Sequence, residues 1–288
     1  IDVNVGDGQL DKSSPLPVFK SKVPLQAGER RLIISTCEKG QVEDVGAMRG
    51  IKAGLDAVKA ANPNFADIAA REVWRSRNPE KVADAIPMRA WSSATKHRVA
   101  LMKNREKLRV GMPRVLNMYL YAPMFSAYLE SLGVQPENLV YSDFTTQEMY
   151  RAGAGRGAID PCFPSKIGIP HVYNLIFQKH QKKPLDAIFF PMIDTLHQPL
   201  QNCNGSNACP TVTATPNAVK AAFTKENDIF KENGIQYLDP ILNIHDPKLF
   251  GLQMFQTWGP LLGLSEDEND RAIQVAYKSF ADYDHSIK

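Results

Sequence analysis

Cys162 stands in Ile159-Asp160-Pro161-Cys162-Phe163-Pro164-Ser165-Lys166, immediately before an expected helix. A thiol there meets the positive end of the helix dipole, with Lys166 one turn further on, and both effects favour the thiolate. Thiolate is the form that binds iron or attacks an electrophile. A buried, inert cysteine fits this local sequence equally well. Cys209 lies in Ala208-Cys209-Pro210-Thr211-Val212-Thr213, which reads as a loop-to-strand boundary, with Cys203 six residues earlier in Asn202-Cys203-Asn204-Gly205. That pair is not a CxxC, and by spacing alone it is a weak metal signal, although a Cys-Pro pair follows ligands in ferredoxin-type runs. The fourth cysteine, Cys37, sits in Thr36-Cys37-Glu38-Lys39-Gly40. Four cysteines in 288 residues do not build a disulfide scaffold.

Other side chains are less telling. His171 and His180 fall on the helix after Cys162, and His197 in a later loop; a lone histidine is more often a core or surface residue than a ligand. Asp143 and Asp194, at strand ends, suit acid–base work or capping. Gly153-Ala154-Gly155-Arg156-Gly157 follows a helix where a phosphate loop would open one, so it reads as a helix C-cap. No GxxxxGK[ST], HExxH or GxSxG is present. A Cys162 nucleophile for acyl transfer would need a histidine base that the sequence does not place.

These residues must be positioned by an alternating βα pattern. Strands are expected at Arg109–Met112, Leu139–Ser142, Ala187–Phe190 and Ile235–Leu238, with a further unit beginning at Val212–Ala214. Helices are expected at Pro123–Leu132, Thr146–Gly153, from Cys162 to about Lys182, and at Pro216–Thr224, and the remainder of the chain reads as helical. That pattern predicts an α/β fold: a mostly parallel, Rossmann-like or flavodoxin-like sheet flanked by helices, with a helical N-terminal region and a helical C-terminal tail. Ligands in such sheets bind beyond the carboxyl ends of the strands. There lie Pro113-Arg114, Ser142-Asp143, Pro191-Met192 and the Thr213–Pro216 turn. The expected divisions are an extended arm at 1–31, a mostly helical region with a linker at 32–107, the α/β domain at 108–250 and a helical tail at 251–288. Residues 92–109 read as a basic helix whose charges face solvent or a partner.

Composition is ordinary: 43% hydrophobic, 23% charged, net charge +3. So small an excess does not argue for nucleic acid, and no apolar run is long enough for a membrane span. The opening residues show neither a signal nor a transit pattern, so the chain reads as cytoplasmic. It opens on Ile1, which fits a processed chain or a piece of a longer one.

One ordered series of motifs is distinctive: Arg109-Val110-Gly111-Met112-Pro113-Arg114-Val115-Leu116-Asn117-Met118-Tyr119, then Pro123, Leu132-Gly133, Ser142-Asp143, Tyr150, Gly153, Cys162-Phe163-Pro164-Ser165-Lys166, Ile188-Phe189-Phe190-Pro191 and Cys209-Pro210. It resembles the dehydratase-like domain of acyl-CoA dehydratase activase-related proteins, akin to the 2-hydroxyacyl-CoA dehydratase subunits, over residues 108 to 250. The resemblance implies an iron–sulfur cluster, 4Fe–4S, charged with one low-potential electron by an ATP-dependent activase, which makes a ketyl radical from an acyl-CoA thioester so that water can leave. By the same resemblance Cys162 and Cys209 match the family's cysteine positions and Cys37 is the candidate third ligand. Cys203 has no matching position and stands as a variant ligand or a nearby thiol. Arg114 and Lys166 are the candidate cofactor-binding residues. The implied partners are an activase module or subunit, a second dehydratase-like subunit and an acyl-CoA-type substrate. The alternative is a non-catalytic docking or assembly domain of a larger activase-related complex.

Overall fold

The computed structural model describes residues 2–6, 29–33, 45–62, 64–89, 92–159, 162–198, 200 and 205–287. The chain divides into two compact units, residues 1–68 and 69–288. In the first, β1 (Asp2–Gly6) pairs antiparallel with β2 (Glu29–Ile33), Asp2 opposite Ile33 and Gly6 opposite Glu29. Helix α1 (Val45–Ala61) follows, and α2 (Phe65–Glu72) runs across the boundary. Both leave apolar side chains exposed, among them Met48, Leu55, Val58, Phe65 and Ile68.

Near the start of the second unit, Val73 and Trp74 are both buried in the core. The segment after them is irregular, as its prolines and polar residues predict, yet it is packed down: Val82 lies against the core and its N–H bonds the Ser131 carbonyl. Helix α3 (Ser93–Asn104) is capped by Ser92, whose hydroxyl accepts the Thr95 N–H, and ends in a 3-10 turn, Arg105–Lys107. Lys96, His97, Lys103 and Lys107 are exposed as expected. Arg105 corrects that picture. It is 3% exposed, forks onto Glu268 through Nη1–Oε1 (2.5 Å) and Nη2–Oε2 (3.0 Å), and donates to the carbonyls of Leu132, Leu262 and Gly263.

Four parallel strands form the sheet: β3 (Val110–Met112), β4 (Leu139–Tyr141), β5 (Ala187–Phe189) and, at the far edge, Gln236–Leu238. Between β5 and that edge strand the chain adds β6 (Met192–Thr195), so the edge strand is β7; β8 (Ile241–Asn243) follows it. The order across the sheet is β4-β3-β5-β7. Val110 pairs with both Leu139 and Ala187, and Ile188 with Tyr237. The connection from β3 goes to one side and the connection back to β5 returns on the other, so the topological switch point lies between the carboxyl ends of β3 and β5.

β5 and the edge strand β7 both continue past a break. Pro191 and Pro240 have no N–H to give the ladder. Beyond them β6 pairs in parallel with β8, the Met192 N–H bonding the Pro240 carbonyl. These two short strands, bounded by proline, escape the sequence reading.

Successive strand residues face opposite sides of the sheet. Phe189 meets Phe125 edge-on at 5.1 Å and Trp258 at 5.2 Å. Those rings belong to α4 (Met118–Ser131) and to the helix Pro247–Leu262 near the C-terminus. On the other side Gly111 packs tightly, a Cβ there falling 3.0 Å from Leu185 and 3.4 Å from Leu175. That side is covered by α5 (Gln147–Gly153), α6 (Phe163–Lys166), α7 (Gly168–Asn174) with a π turn over Leu175–His180, α8 (Pro210–Thr224) and α9 (Ile229–Glu232). The Pro247–Leu262 helix is then α10, and α11 (Glu266–Ile287) packs along α4. At Gly153 the approach of α5 to α7 is closest, because a Cβ there would lie 2.4 Å from Pro170 Cα.

Two expectations need correction. Val212–Ala214 is helical, not a strand: Cys209 is an N-cap, Pro210 supplies the pre-set first turn, and the Thr213 N–H already bonds the Cys209 carbonyl. Pro123 lies inside α4, not at its start. Among the described residues no helix is long and apolar enough to cross a membrane.

Candidate functional site

Cys162 and Cys209 hold the same local position. Each is the residue immediately before a helix whose first turn contains proline, Pro164 in α6 and Pro210 in α8. The Lys166 N–H bonds the Cys162 carbonyl, and the Thr213 N–H bonds that of Cys209, at 2.9 Å each. The N-terminal amides left over are donors for whatever sits at the cap. At Cys209 the nearby Val212 and Thr211 amides favour the thiolate and hold the thiol below its ordinary range. Cys209 is exposed and Cys162 half-buried. The two helices pack against each other.

Both start on the carboxyl side of the sheet. The Thr213 hydroxyl bonds the Ile193 carbonyl at 3.0 Å, and residues 206–208 pair back onto 194–196 of the β6 extension. Gly168, two residues past α6, lies beside the Phe190 ring at the end of β5 and beside Thr215 of α8, where a Cβ would come within 3.0 Å. Lys166 closes α6 and is half-buried. Cys37 and Cys203 lie outside the described residues. Among the described residues no three or more of His, Cys, Asp and Glu come together as a metal site. In kind, the two described thiols suit an iron–sulfur cluster. In number they supply two of its ligands, and the remainder would have to come from Cys37, Cys203 or a partner chain.

A second group of side chains fills the same edge. Arg114, directly after β3, donates its backbone N–H to the Ser142 hydroxyl after β4 (2.8 Å). Its guanidinium lies 4.2 Å from the centre of the Phe144 ring, 5.4 Å from Trp74 and 5.6 Å from Tyr141. The Ser142 hydroxyl meets His171 Nδ1 at 2.7 Å and the Thr145 hydroxyl meets Nε2 at 2.9 Å. Ser142 already accepts from Arg114, so its own proton is satisfied if it donates to Nδ1; Nε2 then carries the ring proton and donates to Thr145. His171 is fully buried, and burial, aided by the Arg114 charge, pushes its pKa down to about 4. Asp143 is taken up by Lys179 (2.5 Å) and Asn174 (3.0 Å); burial opposes its charge, but those hydrogen bonds win and its carboxyl lies below the usual range.

The other flagged side chains have structural work. His180 Nδ1 accepts the Leu185 N–H, and the His197 backbone N–H donates to the Tyr121 hydroxyl. Asp194 keeps one buried carboxyl oxygen without a partner, and the Ser165 hydroxyl in α6 is likewise buried and unpaired. Leu116, in the loop after β3, takes a left-handed backbone (φ 53°), a strain typical of functional loops. It lines a small crevice at the switch point with Asn117, Met118, Phe190, Pro191, Ile193 and Val212. The Trp74–Tyr141–Phe144 surround of Arg114 gives no local sequence signal, because Trp74 comes from far upstream.

A family model described as "CoA enzyme activase uncharacterised domain" (DUF2229) matches residues 109–288. No curated protein and no solved structure matches the chain. The family match takes in more than half of the 288 residues, including every strand of the parallel sheet, both described cysteines and Arg114, and the chain therefore belongs to the CoA enzyme activase uncharacterised domain family.

Proposed function

We propose that this chain is an iron–sulfur component of the 2-hydroxyacyl-CoA dehydratase/activase group. It would work in the cytoplasm with an ATP-dependent activase, and with a second dehydratase-like subunit, in low-potential electron transfer or radical dehydration of a CoA-thioester-type substrate. Membership of an activase-related family supports the general reading. The observation that carries the finer one is the pair of cysteines at the N-termini of α6 and α8, two helices in contact on the carboxyl side of one sheet. A bound 4Fe–4S cluster would supply one-electron chemistry and, with only three protein thiolates, an iron open to a substrate oxygen. Cys162 and Cys209 would serve as ligands, Cys37 is the first candidate for the third and Cys203 the next. The helix N-termini would offset the negative charge of a thiolate-bound cluster. Cys209 is held towards the thiolate that metal binding requires.

The test is anaerobic reconstitution with iron and sulfide, followed by iron and sulfide counts and the visible spectrum for each Cys→Ser variant. The expected order of loss is greatest for Cys162→Ser and Cys209→Ser, intermediate for Cys37→Ser and least for Cys203→Ser. Iron content undiminished in the first two would sink the reading. A second reading, a docking or assembly module, is favoured by the apolar side chains exposed on α1 and α2, including Val58 and Phe65. It expects a colourless protein after the same reconstitution.

A further inference from the structure

We infer that the Arg114 guanidinium is the anchor of an oxyanion-binding site at the carboxyl edge of the sheet, taking a phosphate or carboxylate group of a small ligand. The inference is independent of the cluster. Arg105 shows what this protein does with a buried arginine whose task is structural: its guanidinium bonds both oxygens of Glu268 and three backbone carbonyls. Arg114 has none of this. Its Nε is buried without a partner, and among the described residues no carboxylate or carbonyl bonds its guanidinium. Arg77, whose Nε is also unpaired, still donates to the Glu72 carbonyl.

The surroundings hold the charge while leaving its N–H groups without an acceptor among the described residues, and Asp143 reaches it only as a nearby charge. Phe144, Trp74 and Tyr141 lie around the guanidinium, and aromatic contact of this kind keeps a cation in place without consuming its in-plane N–H groups. The Trp74 ring, 5.4 Å from the guanidinium, carries an indole N–H that is likewise buried without a partner. Asp143, the nearest acid, is bound by Lys179 and Asn174. His171, held neutral, adds no second positive charge beside it. The Ser142 hydroxyl pins the Arg114 backbone, so the side chain starts from a fixed point. An unpaired guanidinium in aromatic surroundings at the carboxyl edge calls for an acceptor carrying negative charge, and a carboxylate or phosphate matches its fork. Phe144, 45% exposed, is the wall a ligand would pass.

The experiment is titration of the full chain at low ionic strength with inorganic phosphate and, separately, with glutarate, read by calorimetry and by tryptophan fluorescence. Saturable binding of at least one anion is expected, weakened at least tenfold in Arg114→Gln and unchanged in Lys103→Gln. Binding of phosphate alone identifies a phosphoryl group as the natural ligand, and glutarate alone a carboxylate. If Arg114→Gln does not fold, Arg114→Lys replaces it, with the charge kept, the fork lost and a five- to tenfold weaker affinity expected. Absence of saturable binding by either anion, or equal affinity in the wild type and the folded Arg114 variant, overturns the inference.

Discussion

His171 is clamped at both ring nitrogens by hydroxyls, those of Ser142 and Thr145, and its pH response follows from its burial there. Its pKa is about 4 when folded, against an ordinary 6.5 when the chain is unfolded. Between those values the unfolded state binds the proton and the folded state does not. Stability is therefore unaffected above about pH 6.5 and falls as the pH drops towards 4, by roughly 2 kcal/mol between pH 7 and 4.5. Urea midpoints at the two pH values should show this loss in the wild type and a clearly smaller one in His171→Asn, which keeps polar contacts but does not titrate. Equal losses would mean that the ring is not held neutral by its pocket. The sequence made the cysteines and Arg114 visible as residues, because a thiol before a helix and an arginine after a strand carry local signatures. It could not show what surrounds Arg114. Trp74, Tyr141 and Phe144 meet only when the segment before α3 folds down beside β3 and β4.

At the scale of elements, the tie between the end of α3 and the start of α11 governs the packing. Arg105 and Glu268, 3% and 0% exposed at their side chains, form a forked pair, and Glu268 also accepts the Asp84 N–H at 2.8 Å. Asp84 in turn is gripped by Arg98, Arg271 and Ser265. Removing one member leaves a buried charge without its partner. Arg105→Met is expected to cost about 3–5 kcal/mol, the double change Arg105→Met/Glu268→Leu distinctly less than the sum of the single changes, and the exposed Lys103→Gln within about 0.5 kcal/mol. A double-mutant cycle by urea unfolding checks all three. Helical periodicity alone cannot separate Arg105 from its lysine neighbours, since the difference lies in Leu262, Gly263 and Glu268, all supplied from the far end of the chain. The βα alternation was legible because each strand is a short apolar run closed by a turn. The β6 and β8 extensions were not, since prolines interrupt the run. Val212–Ala214 misled because β-branched residues after Cys-Pro resemble a strand, whereas Pro210 at the first helical position decides for a helix.

For the whole molecule, the span shared with the family and the span that folds are different. The matched residues are 109–288, while the compact unit is 69–288. Cutting at 109 removes Trp74 from the core and strips Glu268 of Arg105. A fragment of residues 69–288 is therefore expected to unfold cooperatively near the midpoint of the full chain, and one of residues 109–288 to be destabilised by several kcal/mol or to fail to fold; circular dichroism melts of the two distinguish them. The pairing of α4 with α11 has a consequence for synthesis. Twelve of the fourteen residues of α4 are buried, and α11 covers much of that helix. The first of these leaves the ribosome more than 150 residues before the last. At about 5–20 residues per second, a stretch as apolar as Tyr121–Leu129 stays uncovered for roughly 8 to 30 seconds. For about half that interval β3 also waits for β5, since Val110 pairs with Ala187. A nascent chain in that state is a natural client for chaperones that hold apolar segments, and its yield in a cell should depend on them more than the stability of the finished fold would indicate.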